Sequence, residues 1–172
     1  MAVSSLVIIR GSGRLAVALP RSFWFATATA WAGGIYYLSS LSSPPSEPSY
    51  LWAWIANMAH APLYGLLALW LALALPRADS DLGHKWSRLD PKHFHLVLWS
   101  VVAYAVSDEL HQGAIAGRDA SPYDLLTDFC AAFITLKVAT AAVQDVTPKQ
   151  MNRRLIRSVL VCCLAGLAAT FG

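Results

Sequence analysis

Charged side chains are scarce in this chain. Asp, Glu, Lys and Arg make up 13% of its 172 residues, where a soluble domain carries about 25%. With 56% hydrophobic residues, that shortage excludes an ordinary water-soluble globule and points to an integral membrane protein of one domain. Cysteine is also rare. Of the three cysteines, Cys162 and Cys163 sit midway along one apolar run and Cys130 inside another. No disulfide framework or metal-ligand spacing results, so they are read as small packing residues. Neither a zincin spacing nor a nucleophile elbow is present. The net charge of +3 arises from basic residues in separate short loops, which excludes the continuous patch that nucleic acid requires. No internal repeat is visible.

Long apolar runs are abundant, and seven Trp and six Tyr suit an interfacial aromatic belt. The expected fold is all-α, an integral membrane bundle of about five transmembrane helices, with a four-helix core and a C-terminal helix. Residues 1–21 hold Arg10, Arg14 and Arg21 around short apolar pieces, too broken to span, and are expected to form a cytoplasmic segment. The run after them is about 20 residues, longer than the 7 to 15 or so of a signal-peptide core, so cleavage is not expected. Residues 22–143 form the membrane domain, with spans at 22–41, 50–75, 93–112 and 122–143. Residues 144–172 hold a basic loop and a fifth span at 155–171. Prolines punctuate the loop 42–49, and 77–91 is a charged connection. Asp90-Pro91 and Ser121-Pro122 each read as N-cap followed by N1 proline, with Asp124 placed to complete a capping box at Ser121.

The polar residues concentrate in one place. From Ser107 through Asp128 the chain carries five acids, one histidine and one arginine between two apolar runs. A membrane tolerates such groups only where they face protein, water or one another. Asp108-Glu109-x-His111-Gln112, then Gly117-Arg118, Ser121 and Asp124, resembles the signature of the VanZ-like membrane protein family. His60 and Tyr64, four apart, and Ser39-Ser40 before Pro44 resemble its preceding segments. The likeness covers about residues 22–143. Asn57, Asp128 and Cys130-Ala131 depart from the family pattern, where lysine, asparagine and a glycine-rich step are usual. The resemblance implies a fold, a bacterial membrane location and an association with low-level lipoglycopeptide antibiotic resistance, rather than a reaction.

At about 100° per residue, Asn57, His60 and Tyr64 share one helix face, as do Tyr104, Asp108 and His111, while Glu109 points about 100° from Asp108. Glu109 is therefore expected to be solvated or paired with Arg118. Eleven of the thirteen Lys and Arg collect in the N-terminal segment and alternate loops. The positive-inside rule then sets the N-terminus in the cytoplasm, and the C-terminus and the Arg118 loop outside the inner membrane. The polar faces then meet at one depth in the outer half.

Three readings follow. The first is a binding pocket for an anionic envelope lipid headgroup or a lipophilic antibiotic. Arg118 would hold the anion, with His60, Tyr64, Gln112, Asp124 and Asp128 around it and His111 donating. The second is a membrane enzyme acting on lipid-linked phosphate, with His111 or Asp108 as base and Glu109 as acid. In that case His60, Asp108, Glu109, His111 and Asp128 could alternatively gather a divalent metal. The third is a scaffold whose polar cluster locks the helices. The expected partners are membrane lipids and not nucleic acid; no cofactor is specified by the sequence.

Overall fold

Prolines mark where helices begin. Pro20 stands before Arg21, while Pro91, Pro122 and Pro148 each occupy the first helical position, where a missing N–H goes unnoticed. At the second of these the Asp90 carboxylate accepts the Lys92 N–H at 2.9 Å, closing the cap. The structure, a computed structural model, describes residues 5–42, 49–76, 89–118, 120–143 and 146–171. Among these residues there are six helices and no strand: α1 (Ser5–Ala18), α2 (Arg21–Ser39), α3 (Tyr50–Ala74), α4 (Pro91–Gln112), α5 (Pro122–Val143) and α6 (Pro148–Phe171). The proline loop, most of the charged connection, Asp119 and His84 lie outside the described residues.

Three of these helices, α3, α5 and α6, are long and apolar enough to cross a membrane. Five spans were expected, so two fall short. The apolar content of α2 is diluted by Trp24, Trp31, Gly33-Gly34, Tyr36 and Tyr37, and α4 carries Lys92, Asp108, Glu109 and three histidines. The N-terminal segment departs in the other direction, since residues 5–18 form a helix. At about 1.5 Å per residue it extends about 21 Å, too short to span. Its support is tertiary. Ile9 packs on a cluster of Ala141, Ala142 and Met151, and Arg10 Nε donates to the Ala142 carbonyl at 3.1 Å, near the end of α5.

At the centre, α3 packs against α2, α4, α5 and α6. The main core joins Tyr64, Leu67 and Ala68 of α3 to Val97 and Val101 of α4, Ala132 and Leu136 of α5, and Ala28 and Ile35 of α2. Small residues allow the backbones to approach. A Cβ at Gly65 would come within 2.9 Å of Thr135 Oγ1, and one at Gly166 within 2.6 Å of Met58 Sδ. The segments on either side of residue 143 thus pack into one bundle, with α6 lying along α3 and α5.

The two ends of the bundle differ. At one, Arg10 and Arg21 donate to carbonyls near the C-termini of α5 and α3, the latter at 3.1 Å to Ala74; both bonds place a cation where the helix dipole favours one. Lys137 lies over two aromatic rings, its ammonium 5.7 Å from the Phe94 ring centre and 5.4 Å from that of Phe133. At the other end α2, α4 and α6 finish and α3 and α5 begin. Tyr50 stacks on Phe171 there, with ring centres 5.7 Å apart. The polar residues gather at this second end.

Candidate functional site

The site is built on the polar face of α3. Pro62 has no N–H to offer the carbonyl one turn back, and the chain around it carries His60 and Tyr64 four residues apart, their rings parallel with centres 6.0 Å apart. Above this face opens a cavity of about 540 Å³. Ile35 and Leu38 of α2, with Ala53, Ala56 and Leu63 of α3, make an apolar wall. His60, Tyr64, Asp108, Gln112 and Asp124 make a polar floor, with Gly117 and Arg118 also lining it.

Several of the polar side chains are tied to definite partners. The Tyr64 hydroxyl, fully buried, donates to Asp108 Oδ2 at 2.9 Å, and Gln112 Nε2 donates to the same oxygen at 3.0 Å. His60 Nδ1 lies 3.0 Å from Asp128 Oδ1 and ties α3 to α5. Asn57 Nδ2 donates to Thr170 Oγ1 of α6 at 3.1 Å. Arg118 follows Gly117, whose φ of 79° makes the turn that brings the chain back after α4. Its guanidinium donates to the carbonyls of Leu41 at 2.8 Å and Leu38 at 3.2 Å, and to Gln112 Oε1 at 3.0 Å. Arg118 thus closes the C-terminal end of α2 and has no carboxylate within ion-pair distance among the described residues.

Glu109 overturns its expected place. It is 3% exposed and makes no ion pair with Arg118; its Oε2 accepts the Ser121 N–H at 2.8 Å. The angle of about 100° that separates it from Asp108 aims it at the start of α5, which packs on that side. It also replaces Asp124 in the expected capping box. Ser121 Oγ does accept from Tyr123 N at 3.2 Å and Asp124 N at 3.4 Å, but the reciprocal bond to Ser121 N comes from α4. His111 departs as well. It does not line the cavity; its Nε2 lies 2.9 Å from Ser40 Oγ and its ring stacks on Tyr36 at 4.4 Å. His111 and Glu109, read from the sequence as a base and an acid, hold different partners here.

The floor, and the layer beneath it where Glu109 and Asp128 lie without lining the cavity, is rich in acceptors and short of donors. Asp108 Oδ1, Glu109 Oε1, Asp124 Oδ1 and Asp128 Oδ2 are all buried without a hydrogen-bond partner among the described residues. Buried acceptors of this kind are uncommon, since leaving one unmet costs about 1 to 3 kcal/mol. The sequence marks the residues but not this deficit. Nor does it reveal the carbonyls of Leu38 and Leu41, or the Ser121 N–H, because main-chain partners carry no residue letter of their own.

These features define a helical protein with three helices long and apolar enough to cross a membrane, and a half-apolar, half-polar cavity at one end of the bundle. The chain matches no protein-family model, no curated protein and no solved structure.

Proposed function

We propose that the protein binds the headgroup of a phosphate-bearing amphiphile from the cell envelope, in the cavity between α2, α3 and α4. The observation that carries this reading is the cavity's division into an apolar wall and a polar floor beside an arginine that no described carboxylate neutralises. A guanidinium has five N–H donors in a planar fork suited to phosphate oxygens. Three bonds to neutral acceptors occupy Arg118, which leaves donors for a ligand. The floor sets the rest of the headgroup. Asp108 Oδ1 and Asp124 Oδ1 lack donors and would repel a phosphate placed against them. The ligand is thus anionic near Arg118 and offers hydroxyl or ammonium groups deeper in, as a sugar phosphate or amine-bearing lipid does. Its acyl or isoprenoid chain would lie along Ile35, Leu38 and Ala53.

On this reading the chain is a VanZ-like protein of the bacterial inner membrane, and a lipid-tailed glycopeptide antibiotic is a competing occupant of the same cavity. α2 and α4 would complete the bilayer crossing together with α3, α5 and α6. The basic end would face the cytoplasm and the cavity the outside, by the positive-inside rule. The test is lipid extraction from gently solubilised protein followed by mass spectrometry. A phosphate-bearing lipid should be retained at about one per chain by the native protein, at a stoichiometry reduced in Arg118→Lys, which keeps the charge but loses the fork. A lipid complement identical to that of bulk membrane in both proteins would sink the proposal.

A further inference from the structure

The buried carboxylates raise a question that lipid binding does not answer: what compensates the negative charge beneath the cavity floor. His60 of α3, Glu109 of α4 and Asp128 of α5 each offer one potential ligand atom, and these atoms lie within 4.8 Å of one another. The two carboxylates are 3% and 0% exposed, and each has one oxygen with no hydrogen-bond partner among the described residues, Glu109 Oε1 and Asp128 Oδ2. Helix-locking alone accounts for the His60–Asp128 contact at 3.0 Å. It leaves those two oxygens unexplained, since a locking pair needs only one oxygen of one acid.

We propose that His60, Glu109 and Asp128 form a binding site for a single divalent transition-metal ion, of the zinc or manganese class. Two anionic oxygens and a neutral imidazole balance a doubly charged cation, and the ion supplies the missing partner of both bare oxygens. Ligands about 2.1 Å from a tetrahedral ion lie about 3.4 Å from one another. The trio's ligand atoms, within 4.8 Å of one another, would draw in to that spacing around an ion. An imidazole in the donor set favours zinc over calcium or magnesium, which take oxygen ligands, and the two carboxylates also suit manganese. The Ser121 N–H on Glu109 Oε2 at 2.8 Å is the outer contact that orients this carboxylate. Three protein ligands leave coordination positions open, and His60 borders the cavity, within reach of an oxygen carried by a cavity ligand. The site stands apart from the lipid reading, because its probe is the metal alone.

The test uses full-length protein in detergent, stripped with chelator and then titrated separately with Zn²⁺, Mn²⁺ and Mg²⁺ by calorimetry, with metal content measured after desalting. Native protein should take up one Zn²⁺ or Mn²⁺ per chain in preference to Mg²⁺. Glu109→Gln and Asp128→Asn keep an acceptor for Ser121 N and for His60 but lose the charge. Each should weaken binding more than about 100-fold, beyond the loss typical of an outer-contact residue. A His93→Ala/His95→Ala protein, altered only at the far end of α4, should bind as the native protein does. No stoichiometric uptake, undiminished uptake in both carboxylate variants, or loss in the His93/His95 variant would each overturn the site. Should either carboxylate variant fail to fold, the melting temperature of native protein decides. A rise with Zn²⁺ or Mn²⁺ that saturates as one ion binds supports the site, and no rise overturns it.

Discussion

Removing one oxygen atom from Tyr64 gives a sharp measure of how the buried polar network holds the bundle. The Tyr64 ring is fully buried and its hydroxyl donates to Asp108 Oδ2 at 2.9 Å, joining α3 to α4. Tyr64→Phe preserves the ring's packing and removes only this bond. Neutral hydrogen bonds between membrane helices average about 0.6 kcal/mol, because the loosened state finds other partners. Here the acceptor is a carboxylate that is 3% exposed and whose Oδ1 already lacks a partner, leaving Gln112 Nε2 as its remaining donor. Bonds to charged groups contribute about 1.5 to 3 kcal/mol, so the expected loss is about 2 kcal/mol. Reversible unfolding in mixed micelles would measure it, together with Asp108→Asn and the double variant. The coupling between the two positions should exceed about 1 kcal/mol, since the residues are in direct contact. A loss at or below the neutral average of about 0.6 kcal/mol, with coupling near zero, would refute the idea that Asp108 depends on this hydroxyl.

Two glycines at helix crossings should respond differently to the same change. Gly65→Ala sets a Cβ 2.9 Å from Thr135 Oγ1, a short side chain on the tightly packed α5, so a loss of about 1 to 3 kcal/mol is expected from overpacking. Gly166→Ala meets the flexible Met58 side chain instead, and the gain of about 1 kcal/mol in helix propensity should leave stability unchanged or raised; thermal melts of both variants check the ranking. Topology is tested with single cysteines at positions 119 and 85, in a background where Cys130, Cys162 and Cys163 are replaced by Ala. An impermeant maleimide added to intact cells should label the first and not the second, and the reverse pattern would turn the cavity toward the cytoplasm.

Legibility in the sequence followed the range of the forces involved. Helix starts at Pro91 and Pro122 were readable because proline and the residue before it act locally. The polar face of α3 was readable because helix period alone aligns Asn57, His60 and Tyr64. A carboxylate one turn into α5 announces that it needs a partner, and Asp128 has His60 at 3.0 Å. The helix at 5–18 was not readable, since contacts with α5 and α6 hold it rather than its own pattern. α2 and α4 have the length of a span without the apolar content of α3, α5 and α6. Glu109, His111 and Arg118 lie at the end of α4 and in the turn after it. Helix period sets the directions of Glu109 and His111 but not which element stands beside each, and Arg118 depends on how the chain leaves Gly113 and turns at Gly117, across which no periodicity extends.

The central claim, an amphiphile seated with its phosphate near Arg118, is tested most directly by photo-crosslinking. A phosphate-bearing lipid with a diazirine close to its headgroup would be activated in membranes containing the protein, and the adducts mapped by peptide sequencing. Labelling concentrated on cavity residues such as Leu38, Ser39 and Ala56, and suppressed by Arg118→Lys, is the expected result. Val159, Leu160 and Leu164 expose a broad apolar face on α6 that any surrounding lipid would touch. Adducts confined to that face, with the cavity unlabelled, would contradict the account.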